Sequence, residues 1–311
     1  MRIVKYFWLF LTVLLFLCTG VLHGEEIKSP DVKAPEVKVS DTKAPEVKPA
    51  EKPPEDKVTG SASITTLNRY IFRGYQIGKS GLVIQPSLSA SFKGFTATLW
   101  GNMDTNQRNT TTAIFNNEGH KGWNETDLTL SYTYTIKKLS ITGGYIYYGL
   151  KYANESEELF ATFAYDILTK PTLSIYQDIN AYPGTYINLS FAHSFNLPKD
   201  ITLDLGASFG YMSGQGKYWQ TYQPATATYT DSKYRGPHDG MVKAGLTIPV
   251  TKAFTIQPTV QYWFALSGDA TRTYGVNNDP TSPQYGLRIP NNPNGYLTSN
   301  WVYGVNFAYN F

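Results

Sequence analysis

The stretch Trp301-Val302-Tyr303-Gly304-Val305-Asn306-Phe307-Ala308-Tyr309-Asn310-Phe311 constrains the fold more than any other. Its odd positions, Trp301, Tyr303, Val305, Phe307, Tyr309 and Phe311, are all apolar or aromatic, while Asn306 and Asn310 fall among small residues on the even set. Successive side chains of a strand point to opposite faces, so this is a strand with one greasy face. The alternation lasts for roughly the 9–11 residues that a tilted strand needs to cross a bilayer, and it carries aromatic rings at both ends. A terminal strand ending in an aromatic such as Phe311 is expected to engage the barrel-assembly machinery of an outer membrane.

Aromatics make up 15% of the chain and charged residues only 16%, yet a single long apolar run exists, Tyr6 to Leu17, which excludes a bundle of membrane-spanning helices. Arg2 and Lys5 precede that run and Gly20 and Gly24 follow it, the layout of a secretory signal peptide over residues 1–24, cleaved after Gly20 or Gly24. Leu17 is too large for the residue before a lipoprotein cysteine, so Cys18 is expected to leave with the signal. The exported chain then has no disulfide framework and no thiolate chemistry. Residues 25–60 are rich in Lys, Glu, Asp and Pro, contain no aromatic, and hold the near-repeat Asp31-Val-Lys-Ala-Pro-Glu-Val-Lys38 and Asp41-Thr-Lys-Ala-Pro-Glu-Val-Lys48. Such a segment cannot bury a core; its prolines favour an extended, disordered periplasmic spacer. It is either an unstructured leader or a tether that touches peptidoglycan or a periplasmic partner.

From 61 to 311 the pattern becomes short alternating runs. The first, Ser61 to Tyr75, sets Ile64, Tyr70 and Phe72 against Arg69 and Arg73. Leu82 to Phe92 follows, and Lys93-Gly94 makes a tight turn into Phe95, Ala97, Leu99 and Met103. Further strands are expected around 125–134, 139–147, 159–165, 172–178, 185–195, 201–211, 242–248, 254–264 and 301–311. That gives about twelve strands, an even number as bacterial barrels require, with connections alternating long and short. The fold class is therefore all-β, an up-and-down antiparallel transmembrane barrel embedded in outer-membrane lipid and lipopolysaccharide, with short periplasmic turns and long extracellular loops. Outward rings, among them Phe92, Phe95, Tyr134, Tyr165, Phe195, Phe254 and Phe311 at one level and Tyr70, Phe72, Tyr147, Tyr211, Phe264 and Trp301 at the other, read as interfacial girdles.

Strand charges fall on the inward parity: Arg69, Arg73, Asp104, Glu125, Asp127, Glu158, Asp166, Asp178, Asp204 and Lys243. Lipid-facing charge is costly, so the sorting supports the register first. Arg73, Asp104, Glu125, Glu158 and Asp178 should lie near the extracellular mouth. There they form either a constriction ring that selects solutes by charge or a salt-bridge network in which Asp127 and Glu125 neutralise Arg69 and Arg73. Trp100, Tyr176, Tyr186 and Trp263 also point inward, where rings fill a narrow lumen or guide sugars and other flat solutes. The loop aromatics Tyr218, Trp219, Tyr222, Tyr229 and Tyr234, with the Asn- and Pro-rich stretch Asn277 to Asn294, form a lid, a ligand surface or plain solvated loops.

Catalysis is not expected. Of the four histidines, His23 is in or beside the signal, His120 and His238 fall in loops, and His193 has a lipid-facing parity near the short-turn end. None is placed to serve a rim serine. No metal-ligand cluster, phosphate loop or nucleic-acid signature is present, so no cofactor is implied.

Tyr70-Ile-Phe-Arg73-Gly74, Glu125-Thr-Asp127-Leu-Thr-Leu-Ser-Tyr132, Tyr165-Asp166 with Pro171-Thr-Leu-Ser-Ile-Tyr176, and Gly184-Thr-Tyr186 resemble the bacterial TorF-type porin family. The resemblance covers most of Ser61 to Phe311 and implies a Gram-negative outer-membrane barrel; it supplies no agreed substrate or catalytic residue. The expected function is a channel, monomeric or trimeric, for passive passage of small hydrophilic solutes. The alternative is a closed structural or adhesive barrel that acts through its loops and spacer.

Overall fold

A computed structural model describes residues 57–77, 81–107, 120–151, 153–223, 226, 228–271, 274–276, 288–290 and 299–311. The expected signal peptide and the spacer up to residue 56 lie outside the described residues, as does most of the stretch Asn277 to Asn294. Twelve strands close into one barrel: β1 Thr59–Leu67, β2 Val83–Phe92, β3 Phe95–Gln107, β4 His120–Ile136, β5 Leu139–Leu150, β6 Ser156–Tyr165, β7 Thr172–Asp178, β8 Gly184–Asn196, β9 Thr202–Gly214, β10 Arg235–Pro249, β11 Phe254–Ala265 and β12 Asn300–Asn310. Each is antiparallel to the next in sequence, and β12 returns to β1 with Ile64 opposite Phe307. Closure leaves no edge, the condition for a sheet to survive in hydrocarbon.

The seam fixes where the chain enters. Gly60 and Phe311 exchange two backbone hydrogen bonds, 2.8 and 2.9 Å, which sets the start of β1 beside the terminal strand. At Gly304 a methyl group would run into the Thr66 carbonyl oxygen, so glycine is what lets β12 and β1 approach. At the opposite side of the alternation, Lys93-Gly94 is a two-residue hairpin with both φ positive, 48° and 86°. Those angles suit the right-handed twist of the flanking strands.

The outer face is apolar where the alternation predicts it: Leu88, Leu99, Leu128, Leu130, Tyr132 and Leu159 are exposed there, with Phe95, Trp301, Tyr303 and Tyr309 toward the rims. The inner face nearer the short turns is lined by hydroxyls paired across strands, such as Ser89 with Thr98 at 2.7 Å and Thr133 with Thr142 at 2.8 Å. Each such pair satisfies two polar groups that would otherwise need water.

Three expectations are corrected. The first strand ends at Leu67, not Tyr75, because nine residues already span the barrel and residues 68–77 turn inward. Tyr70 and Phe72 are accordingly not girdle residues; Tyr70 is buried inside the barrel and Phe72 packs on Tyr148. The loop expected between Met212 and Gly240 is shorter, since β10 begins at Arg235 and takes His238 into the sheet.

Candidate functional site: the lumen and its inward hairpin

The connection from β1 to β2 builds the site. Asn68 fastens its base: the side-chain amide donates to the Trp301 carbonyl at 3.2 Å, its oxygen accepts from Tyr303 N–H at 2.9 Å, and its own carbonyl accepts from Gly81 N–H at 3.2 Å. Beyond it, Ile71–Phe72 and Tyr75–Gln76 pair as a small hairpin. Arg73 and Gly74 form its tip with φ of 46° and 81°, the same positive pair as Lys93-Gly94. A two-residue turn of this kind points the Arg73 side chain away from the seam and across the lumen.

Arg73 meets the far wall. Its guanidinium donates to both carboxylate oxygens of Glu158 on β6, Nη1 to Oε1 at 2.7 Å and Nη2 to Oε2 at 2.6 Å. This fork-to-fork geometry is the strongest form of the interaction, and both partners are well shielded, with side-chain exposures of 13% and 4%. Glu158 Oε2 also accepts from the Tyr148 hydroxyl at 2.8 Å. The guanidinium lies 4.7 Å from each of three ring centres, Phe72 of the hairpin, Tyr176 of β7 and Tyr186 of β8. Charged face and ring faces together form a cage around one cation.

The rest of the hairpin is held by buried polar and aromatic contacts. Tyr70 donates to Glu125 at 3.4 Å and packs 5.8 Å from Trp100, and Tyr75 packs at a tilt against His238, ring centres 4.8 Å apart. His238 and Asp239 both reach the interior because the pairing of β9 with β10 slips between Phe209 and Tyr211. Such a bulge turns two successive side chains to one side. Asp239 accepts from the Tyr186 hydroxyl at 3.0 Å, and the Tyr234 hydroxyl lies 2.8 Å from His238 Nδ1. Trp219, from the connection between β9 and β10, donates to the Tyr182 carbonyl at 3.0 Å and is buried with Tyr234 and Met212.

Each charge assigned to the inward parity can now be placed. The expected pairing of Arg73 with Glu125 and of Arg69 with Asp127 is replaced, because leaving the strand carries Arg73 across the lumen to Glu158 and Arg69 to the Asn300 side-chain oxygen at 2.6 Å. Asp178 is occupied by its own loop, accepting from Ser156 at 2.6 Å and from the N–H groups of Asn180 and Tyr182 at 3.0 Å. Asp104 accepts from Asn106 N–H at 2.7 Å, and its second oxygen meets no partner among the described residues. Asp204 sits in a hydroxyl cluster near the short turns, with Ser194 at 2.6 Å and Thr247 at 2.7 Å. Asp166 lies in the exposed turn after β6.

Beneath the hairpin lies an open cavity of about 570 Å³ bordered by Arg73, Trp100, Asp127, Lys243 and Trp263. Five of the candidate residues thus share one space, whereas Asp104, Asp178 and Asp204 do not border it. The sequence missed Tyr148, whose parity places it inward, and Asp239, whose inward turn depends on the bulge. Tyr218 packs 4.4 Å from Tyr182, and Trp219 and Tyr234 are buried, so these three loop rings cover the barrel and present no open ligand surface. The side chains of Tyr222 and Tyr229 lie outside what the structure describes.

A closed barrel with an apolar outer belt, hydroxyls within and one connection folded into its interior defines the chain as an outer-membrane β-barrel. No protein-family model matches it, and no curated protein does. Among solved structures it is similar to the NanC porin, at 11% identity over 80% of this chain and 98% of that one, TM-score 0.46. It is also similar to an outer-membrane channel from Pseudomonas putida F1, at 9% identity over 86% and 100%, TM-score 0.45, and to an anion-selective porin from Comamonas acidovorans, at 7% over 82% and 99%, TM-score 0.31. The fold assignment rests on the strand pairing above and not on these likenesses.

Proposed function

We propose that the barrel is a narrow channel for passive passage of small hydrophilic solutes, and that the hairpin carrying Arg73 is its constriction. The observation that carries this reading is the Arg73–Glu158 pair, which spans the lumen above a polar, hydroxyl-lined interior. A barrel meant only as a scaffold has no need of a charged connection reaching across its bore. Arg69, Glu125, Asp127, Asp239 and Lys243 would then set the field that a passing solute feels. Residues 1–24 are proposed to direct export and the following spacer to act in the periplasm.

A second reading is favoured by one feature: Tyr75, Tyr186, Met212, Trp219 and Tyr234 pack together as a buried cluster, the arrangement expected of a permanent plug. Single-channel recording on the refolded protein in a planar bilayer separates the two. Discrete openings, with selectivity moving toward cations in Arg73→Ala and toward anions in Glu158→Ala, support the channel. Silence from a folded, heat-modifiable barrel and from both variants refutes it.

A further inference from the structure

The cavity beneath the hairpin combines features that are seldom found together by chance in a water path. At about 570 Å³ it falls within the range of roughly 300–1,000 Å³ typical of small-molecule sites. Trp100 and Trp263 border it from β3 and β11, with Tyr148 and Tyr176 on other strands of its wall. Between the rings stand hydrogen-bonding groups of both senses. Asp127 brings a carboxylate to the wall from β4, and Lys243 supplies donors from β10. Arg73, which also borders the cavity, is already neutralised by Glu158, and the remaining charges, Asp127 and Lys243, oppose each other, so the site as a whole favours no net charge in its occupant.

We infer that this cavity is a binding site for a neutral saccharide of one or two rings, a reading that rests on the channel proposed above and names its solute class. A pyranose has flat faces of C–H groups, which are matched by aromatic rings, and an equatorial rim of hydroxyls, each able both to donate and to accept. Asp127 takes the donors and Lys243 the acceptors. An inorganic ion uses the charges but not the rings, and an apolar solute uses the rings but leaves buried polar atoms unmatched. A saccharide uses both.

The test is calorimetric titration of the refolded full barrel with glucose, maltose and sucrose, beside arginine and sodium benzoate, together with current recordings in the same solutions. Binding of at least one neutral sugar, absent for arginine and benzoate, is expected. Losing a stacking ring should weaken it by about tenfold in Trp100→Ala and in Trp263→Ala. Asp127→Asn, which keeps the shape but removes the charge, should weaken it by a similar factor. An open, ion-conducting barrel that gives no sugar heat and no sugar-dependent block overturns the saccharide site while leaving the channel intact. Sugar binding with no conductance keeps the site and overturns the channel. Sugar heats unchanged in both tryptophan variants place the binding elsewhere and overturn the inference.

Discussion

Replacing Arg73 with alanine should free the hairpin from the far wall, and the size of the effect follows from what the side chain touches. Two charge-assisted hydrogen bonds of 2.7 and 2.6 Å and three ring contacts at 4.7 Å are lost at once. Breaking a shielded ion pair by removing one partner costs about 3–5 kcal/mol, mostly from stranding the other charge. Here Glu158 keeps its hydrogen bond from Tyr148 and can be hydrated once the hairpin lifts, so the lower figure applies, about 3 kcal/mol. That is roughly a hundredfold change in the ratio of docked to undocked hairpin. Alanine retains a Cβ, so the strain at φ 46° is the same in both proteins and does not confuse the comparison. In single-channel records the variant should open far more often, or to a larger level, than the parent. Glu158→Ala should do the same, and the double variant should exceed neither single one by much, since both act on one contact. Arg73→Lys, which keeps the charge but loses the fork, should fall between. A folded Arg73→Ala protein with the parent's conductance and opening frequency would refute the latch.

Three further outcomes are expected from the same structure. Gly304→Ala drives a methyl into the Thr66 carbonyl oxygen and should destabilise the β1–β12 seam by about 2–3 kcal/mol, seen as a lower urea midpoint and less heat-modifiable band. Leu130→Lys, on the outer face, should cost about 2–4 kcal/mol in phospholipid vesicles, whereas Thr129→Lys, one residue away on the inner face, should be tolerated; equal losses would overturn the register. Glu125→Gln removes a buried carboxyl reached by the Tyr70 hydroxyl at 3.4 Å and without an ion-pair partner among the described residues, so it should raise stability at pH 8 by about 1 kcal/mol, and a fall in the urea midpoint would show that the charge is matched.

What the sequence disclosed and what it hid have one physical cause. A strand between lipid and lumen must place apolar groups on every second residue, and the alternation in residues 301–311, 82–92 and 254–264 therefore located β12, β2 and β11 to within a residue or two. The same rule misled at 68–76. Arg69, Tyr70, Phe72 and Arg73 continue the alternation of β1, because a hairpin laid across the lumen is itself two-faced, with one side toward the barrel wall. Period-2 patterning reports a two-sided environment; it does not say that one of the sides is lipid. Two signals nevertheless marked the difference. Nine residues from Thr59 to Leu67 already suffice to cross, so eight more, up to Tyr75, exceeded what the bilayer requires. And Arg73-Gly74, flanked by Phe72 and Tyr75, is the chemical twin of Lys93-Gly94, which reads at once as a tight turn and folds with nearly the same angles. The bulge that brings His238 and Asp239 inward leaves no such mark, because it depends on how β9 and β10 slip past each other, a property of two strands together. The partners in the lumen were hidden for a like reason. Parity gives the face of each side chain but not its height, and Arg73 finds Glu158 and not Glu125 only because its backbone has left the wall.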